Sequence, residues 1–258
     1  MNAAAWVGLQ KELEAWAETG RSVSLWWRDD DAVADSHALR TLTAISGEYD
    51  VPLAMAVIPA PLETSLPAHL RRCQAPVSVC QHGFAHVNHV LAPLKKCELD
   101  AANPTQRLKQ LAAGKAQLEG AFAAAFSPVL VPPWNRIAAP LASRLHTLGY
   151  AGLSTFAEQC FPAAALRQNN CHVDIINWRG TRGFVGQEAA LAALTRHLRR
   201  RRQANLEHGE VTGVLSHHLV HDEACWLFLD RLWSTLRRYS HTVFCSLADL
   251  FSQDLPGG

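Results

Sequence analysis

Three features are scarce in this chain, and each scarcity excludes a class of protein. The 258 residues carry a net charge of only +1, which gives no general argument for a nucleic-acid or membrane partner. No run of about 18 apolar residues is present, so the sequence predicts no transmembrane helix. Residues 1–6 lack the basic and apolar regions of a signal peptide, and we therefore expect a cytoplasmic protein.

Cysteine occurs without the spacing of a disulfide framework or a redox pair. The seven cysteines are an odd number, they are scattered along the chain, and none lies in a CxxC pair. This pattern predicts reduced, mostly buried thiols, as in a cytosolic protein.

The chain has the composition of a large core and a regular alternation of elements. Apolar residues make up 48% of it and charged residues 18%, which indicates a folded chain. Short apolar runs predict strands at 22–28, 53–58, 76–80, 129–131, 150–154, 172–178, 211–216 and 242–245. Helical patterns lie between them at 36–49, 104–126, 138–148, 187–202 and 222–238. About eight parallel βα units favour an α/β barrel, formed as one domain by residues 1–258.

Polar residues cluster at the carboxyl ends of the predicted strands. A (β/α) barrel builds its active site at that end, because the loops after the strands meet there. We therefore expect the following side chains to lie close together: Asp29, Asp30, Asp31, His82, His86, Asn135, Arg136, Asp174, Trp178, His217 and His218.

His82 and His86 are the most informative pair in the sequence. Histidines four residues apart lie on one face of a helical turn. Together with one carboxylate from the cluster Arg28-Asp29-Asp30-Asp31, they would give a metal three ligands and leave a position for water. The alternatives are ordinary surface histidines and aspartates that cap the next helix. The order of the clusters along a barrel favours a hydrolytic metal centre.

Five motifs in order resemble those of the polysaccharide deacetylase superfamily, also known as the NodB-homology or carbohydrate esterase 4 superfamily. That family has a Thr-Phe-Asp-Asp-Gly turn, His-Ser/Thr-x-x-His, Arg-x-Pro-x-Gly, Asp-x-x-x-Trp and Leu-x-His. Their places are taken here by residues 28–32, 82–86, 131–136, 174–178 and 215–217. The resemblance implies a distorted (β/α)7-type barrel, NodB-like, and a divalent metal, usually zinc, held by Asp-His-His.

The resemblance also implies a role for each matched residue. Asp30 would be the general base, and His217 would protonate the departing amine or alcohol. Asp174 would pair with His217 or with the arginine near the base. The metal ligands would be Asp31, His82 and His86, and the ion would lower the pKa of its water towards about 7.

Two departures from the motifs bear on these roles. Gly83 stands where the family has a hydroxyl residue, so a supporting hydrogen bond is expected to be missing. Val131 stands where the family has the arginine that orients the catalytic aspartate. Either Arg136, five residues later, or Arg28 could substitute for it, and we assign Arg136 to the catalytic set.

The run of three aspartates leaves two registers open. In one, Asp30 is the base and Asp31 the ligand, which related sequences with Arg-x-Asp-Asp favour. In the other, Asp29 is the base and Asp30 the ligand.

Further residues are candidates for substrate binding. Trp134 and Trp178 would either stack on a sugar ring or pack the barrel mouth. His89 and His218 would either line the pocket or take structural positions, and Asn135 completes this set. The basic run Arg199, Arg200, Arg201 and Arg202 would be either a solvated helix end or a weak contact for an anionic surface.

The sequence as a whole predicts a metal-dependent hydrolase that removes an N- or O-acyl group, acetyl first of all, from a sugar or sugar-bearing substrate. The alternatives are an amidohydrolase acting on a small non-sugar amide and a catalytically inactive binding module. The absent arginine at position 131 favours the inactive module, whereas the complete Asp-His-His set argues against it.

Overall fold

The fold was analysed in a computed structural model, which describes residues 3–161, 164–204 and 210–252. One curled sheet of parallel strands dominates it, and the sheet order is β6-β5-β4-β3-β2-β1-β8-β7, with β9 also paired to β1. The strands are β1 (Val23–Ala32), β2 (Leu53–Val57), β3 (Val77–His82), β4 (Phe126–Val131), β5 (Gly152–Leu153), β6 (Arg167–Gln168), β7 (Val173–Asp174), β8 (Thr212–Ser216) and β9 (Thr242–Phe244).

Helices cover the outer face of the sheet and fill the crossovers between parallel strands. They are α1 (Ala3–Glu18), α2 (His37–Tyr49), α3 (Ser65–Leu70), α4 (Pro104–Phe122), α5 (Ala139–Ala142), α6 (Gln187–Gln203), α7 (Glu223–Leu236) and α8 (Leu247–Phe251). A single bridge, Phe156 to Cys171, joins the chain after β5 to the chain before β7, where the barrel is distorted. The predicted α/β, (β/α)7-type barrel is confirmed. None of the helices in the described ranges combines the length and apolarity needed to cross a bilayer.

The core of the described residues has three clusters, of which two lie on opposite faces of β1 and the third packs α4 and α5 against β4 and β5. The larger cluster lies between the strands and helices and includes Trp27 and Trp233, whose rings are 5.2 Å apart. A second cluster fills the inside of the barrel around Trp26, Cys80 and Leu215. Adjacent residues of a strand point to opposite faces, so Trp26 and Trp27 lie in different clusters.

Strand β1 is longer than predicted, and this changes where the aspartates lie. The strand runs to Ala32, so Asp29, Asp30 and Asp31 lie within its last four residues and do not follow it. Its register against β2 shifts between Asp29 and Ala32, and Asp31 has a φ of 74°. Alternation alone puts Asp29 and Asp30 on opposite faces, and the bulge breaks that alternation so that Asp31 lies beside His82 and not with Asp29.

Several predicted elements differ from the observed ones. The predicted helix 138–148 is two short pieces, α5 and a 3-10 turn at Leu145–Leu148, and Gly149 ends the second piece in a left-handed conformation. The predicted strand 172–178 is only Val173–Asp174, because the Asp174 carboxylate accepts a bond from the Ile176 N–H and turns the chain. Helices α1, α3 and α8 and strand β6 were not predicted.

Candidate metal centre and active site

Asp31, His82 and His86 meet at the carboxyl ends of β1 and β3. Asp31 Oδ1 lies 3.1 Å from His82 Nε2 and 3.3 Å from His86 Nε2. The His82 side chain is 2% exposed, whereas those of Asp31 and His86 are about a quarter exposed. The cluster is therefore buried on the side of His82 and open to solvent on the side of Asp31 and His86.

The main chain fixes which nitrogen His82 presents. His82 is the last residue of β3, and its Nδ1 lies 3.0 Å from the Val131 carbonyl oxygen. A carbonyl only accepts hydrogen bonds, so Nδ1 carries the proton and the lone pair is on Nε2. That nitrogen is the one beside Asp31.

The spacing of the two histidines predicted that they would meet on one face of a helical turn, and this prediction is wrong. Residues 83–86 are not helical, and Gly83 and His86 have φ values of 56° and 58°. The Glu98 carboxylate accepts the N–H groups of Phe84 and Ala85, at 3.2 and 2.7 Å. Glu98, which the sequence did not point to, thus supplies hydrogen bonds to this turn that a hydroxyl side chain at position 83 would otherwise give.

The three side chains fit a divalent metal. Asp31 Oδ1 is buried and accepts no hydrogen bond, although two imidazole nitrogens lie beside it. Ligands about 2.1 Å from a tetrahedral ion are about 3.4 Å apart, close to the observed spacings. Burial alone would raise the pKa of Asp31, but His82, His217 and His86 lower it below its ordinary value. A carboxylate is the form that binds a cation.

Asp30 lies inside the barrel and is held by Arg28 from the same strand. Arg28 Nε is 2.9 Å from Asp30 Oδ1, and Nη2 donates to Oδ2 at 3.0 Å. Both side chains are buried. Burial lowers the pKa of Arg28, but the Asp30 charge, its hydrogen bond and other nearby groups together raise that pKa above its ordinary value.

Arg28, and not Arg136, contacts Asp30. Arg28 also donates to Ser154 Oγ at 2.8 Å and to Asn135 Oδ1 at 2.7 Å, which fixes its plane. The Arg136 guanidinium donates instead to the Lys96 carbonyl. Asn135, predicted to bind substrate, therefore supports Arg28. Two residues apart on a strand point to the same face, a signal that could have identified Arg28 in advance.

His217 lies across from Asp30 and is positioned by Trp178. Its Nε2 is 3.9 Å from Asp30 Oδ2, and its ring meets the Trp178 ring edge-on at 4.6 Å. The Trp178 indole N–H donates to Asp174 Oδ2 at 2.8 Å. Burial raises the pKa of Asp174 above its ordinary value. Asp174 thus bonds Trp178, which in turn packs on His217.

Asp29 belongs to a different network, outside the barrel. Its Oδ1 lies 2.5 Å from His218 Nδ1, and its Oδ2 accepts the Ser216 hydroxyl at 2.6 Å. The His218 and Asp29 side chains have no exposed surface. Burial opposes the Asp29 charge, but His218 lowers the pKa of Asp29, and Asp29 raises that of His218. The structure therefore places His218 in a buried pair and not on an open substrate surface.

The remaining predicted substrate residues lie on the rim of the mouth. Trp134 packs 4.4 Å from the His86 ring, and Lys96 Nζ lies 5.8 Å from its centroid. Trp178 is 42% exposed, so one tryptophan packs on a predicted ligand and the other also faces solvent. His89 is exposed, and its N–H donates to the Cys97 carbonyl.

A second cluster of ligand-type residues lies at the opposite, amino end of β7 and β8. Glu210 Oε1 is 3.3 Å from His172 Nε2 and 3.4 Å from His197 Nε2. Arg200 Nη2 also donates to both Glu210 oxygens, at 2.8 and 2.9 Å. We call His172, His197 and Glu210 the base cluster. It borders a cavity of about 210 Å³.

The basic run is partly exposed at Arg199 and Arg200, but most of its side chains also contact the fold. Arg199 and Arg202 both contact the buried carboxylate of Glu12, at 3.3 and 2.7 Å. Arg201 is buried and donates to Ser24. These contacts fasten α6 to α1 and β1, and nothing in them supports the predicted anionic-surface contact.

No family model matches this chain, and no curated protein matches it either. Solved structures do match its fold. A family 4 carbohydrate esterase from Streptomyces lividans, in complex with acetate, is 17% identical with a TM-score of 0.54, over 88% of this chain and 91% of its own. A family 4 acetyl xylan esterase from Clostridium thermocellum, in complex with a cobalt ion, is 16% identical with a TM-score of 0.55, over 88% and 90%.

A third structure, a CE4 esterase from Streptococcus mutans, is 12% identical with a TM-score of 0.58, over 92% of this chain and 89% of its own. The resemblance to carbohydrate esterase family 4 is thus confirmed as one of fold. Identities this low fit a divergent branch and do not carry a substrate across.

Proposed function

We propose that the protein is a metal-dependent hydrolase that removes an acyl group, acetyl first of all, from an N- or O-acylated sugar or sugar-bearing substrate. The observation that carries the proposal is the convergence of Asp31, His82 and His86 beside Asp30 and His217. The sugar substrate is proposed by analogy with family 4 carbohydrate esterases, which share the fold.

Asp31, His82 and His86 would hold the metal, and two imidazoles with one carboxylate suit zinc. When bound, such an ion makes water a stronger acid and polarises the acyl carbonyl. The buried, unbonded Asp31 Oδ1 is the atom that most needs a cation. The open side of the cluster leaves room for water and substrate.

Asp30 would take the proton from the attacking water. Its carboxylate is oriented by two contacts from Arg28 and sits inside the barrel, away from bulk solvent. Arg28 would thereby orient the catalytic aspartate, the role of the family's arginine that Val131 replaces here. Since the absent arginine was the argument for an inactive module, this contact favours an enzyme.

His217 would give a proton to the leaving nitrogen or oxygen. His217 Nε2 lies 3.9 Å from Asp30 Oδ2. Asp30 would therefore accept a proton, and His217 would donate one, close to the same reacting group. The edge of Trp178, itself bonded to Asp174, limits rotation of the ring. Trp134 and Trp178 would contact the sugar at the rim.

The metal content of the purified protein tests the proposal first. About one divalent ion per chain is expected in the wild type and none in His82→Ala. His197→Ala, in the base cluster, is the matched control and should keep the ion. A wild type that stays metal-free after dialysis against zinc would overturn the proposal.

Acetate release then tests the substrate class. The zinc-loaded protein should release acetate from acetylated xylo-oligosaccharides or N-acetylglucosamine oligomers, and His82→Ala should not. Activity on small non-sugar amides alone would move the proposal to the amidohydrolase alternative.

A further inference from the structure

Glu98 is a buried carboxylate whose position the proposed chemistry does not explain. It is 1% exposed, and its hydrogen bonds go to the N–H groups of Phe84 and Ala85. Among the described residues, no lysine or arginine forms an ion pair with it. A buried charge without a counter-charge is costly, so a cation nearby is expected to balance it.

Glu98 is coupled to Gly83, directly after the first histidine. A Cβ at Gly83 would lie 2.1 Å from Glu98 Oε2 and 2.5 Å from Pro133 Cγ, and the Gly83 φ is 56°. A hydroxyl residue is therefore excluded at position 83 while Glu98 is present. Glu98 makes two main-chain hydrogen bonds where a serine or threonine would offer one hydroxyl.

The charges around the cluster point to a second role for Glu98. Arg28 neutralises Asp30, and the two imidazoles are neutral when they bind a metal. Asp31 and Glu98 are then carboxylates at the cluster and behind its turn that no lysine or arginine of the described residues pairs with. A divalent cation would balance them.

We propose that Glu98 is a positioning residue of the metal centre. It fixes the turn that brings His86 to His82 and supplies the second negative charge that balances a divalent ion. This inference rests on the proposed function, because it needs a metal at Asp31, His82 and His86. It adds a residue that none of the five motifs contains.

The test is Co²⁺ affinity and the visible spectrum of the Co²⁺-loaded protein, in the wild type and Glu98→Gln. The glutamine keeps the size but removes the charge and one acceptor. Loss of partners behind metal ligands typically costs about 10- to 100-fold in affinity, and we expect that loss with a shifted spectrum. Glu119→Gln, on the surface of α4, is the matched control and should match the wild type.

Each outcome separates the inference from the proposed function. A wild type that binds no Co²⁺ overturns the proposed function. Wild-type affinity and spectrum in Glu98→Gln overturn only the role of Glu98. If Glu98→Gln does not fold, Glu98→Asp carries the test, because it keeps the charge and loses reach. Its affinity should fall below that of the wild type, and equal affinity would overturn the inference.

Discussion

The mouth cluster of Asp31, His82 and His86 and the base cluster each combine one carboxylate with two histidines at nearly the same spacing. In each, one carboxylate oxygen lies 3.1–3.4 Å from two imidazole nitrogens. Composition and distance alone would assign a metal to both. The hydrogen bonds behind the rings separate them.

The direction of one main-chain hydrogen bond differs between the clusters. At the mouth, His82 Nδ1 donates to a carbonyl, so Nε2 has a lone pair for a metal. At the base, the Gly213 N–H donates to His172 Nδ1 at 3.1 Å. A neutral His172 then carries its proton on Nε2, where a ligand needs a lone pair.

Ring orientation and charge add to this difference. The His172 and His197 rings are stacked, 3.6 Å apart and 22° from parallel, so their in-plane lone pairs do not converge on one point. The His82 and His86 rings are 5.2 Å apart and tilted by 40°. Arg200 already neutralises Glu210 at the base, whereas Asp31 has no such partner among the described residues. These differences favour the mouth cluster over the base cluster as the proposed metal site.

The largest expected effect comes from Asp30→Asn, which removes the proposed base and keeps the metal ligands. We expect turnover to fall about 10²- to 10⁴-fold, the usual contribution of acid–base catalysis, with metal content unchanged. The measurements are kcat and bound metal per chain. Glu210→Gln in the base cluster is the control and should keep full turnover. Full turnover in Asp30→Asn would end the assignment of Asp30 as base.

A smaller effect, on the stability of the fold at low pH, is expected from His221. Like His172, this histidine has a ring nitrogen that accepts a main-chain N–H. Its Nε2 accepts the His217 N–H at 3.3 Å, so protonation would cost that bond. Burial lowers its pKa to about 4 from an ordinary 6.5, with Asp29 opposing and His218 and His217 adding to the shift.

The direction of the pH dependence follows from the unfolded chain, in which His221 takes up a proton near pH 6.5, whereas in the folded protein it does not. Stability should therefore fall as the pH drops from 6.5 towards 4, by about 2 kcal/mol at pH 5. Urea unfolding at pH 7 and pH 5 measures the loss. His221→Gln should lose less on acidification than the wild type, whereas His37→Gln, exposed on α2, should lose as much. Equal losses in His221→Gln and the wild type would contradict the prediction.

The sequence predicted the α/β barrel and placed the mouth residues together because strand alternation and strand ends are local properties. Regular apolar runs marked β1, β2 and β8 to within a few residues. The short strands β5, β6 and β7 depend on tertiary contacts, and their boundaries were wrong or missed. Helix α1 has no strand before it to start a βα unit, so the alternation gave no sign of it.

Within the site, the sequence identified the residue types but not their partners. The bulge at Asp31 brings Asp31, and not Asp30, beside the histidines, which favours the register with Asp31 as the ligand. Glu98 was missed because it lies twelve positions after His86 and belongs to no motif. The base cluster was missed because its members belong to no motif, and only folding brings them together.

The smallest expected effect is that of Arg199→Ala on α6, the helix that also carries His197 of the base cluster. Arg199 is 56% exposed, and Arg202 keeps Glu12 paired at 2.7 Å without it. Because exposed ion pairs contribute little, the free energy of unfolding should fall by less than about 1 kcal/mol, with metal content unchanged. Binding to vesicles of anionic phospholipid should also be unchanged, since the structure gives the basic run a role inside the fold. A marked loss of vesicle binding would restore the anionic-surface contact and give the base end of the barrel a function of its own.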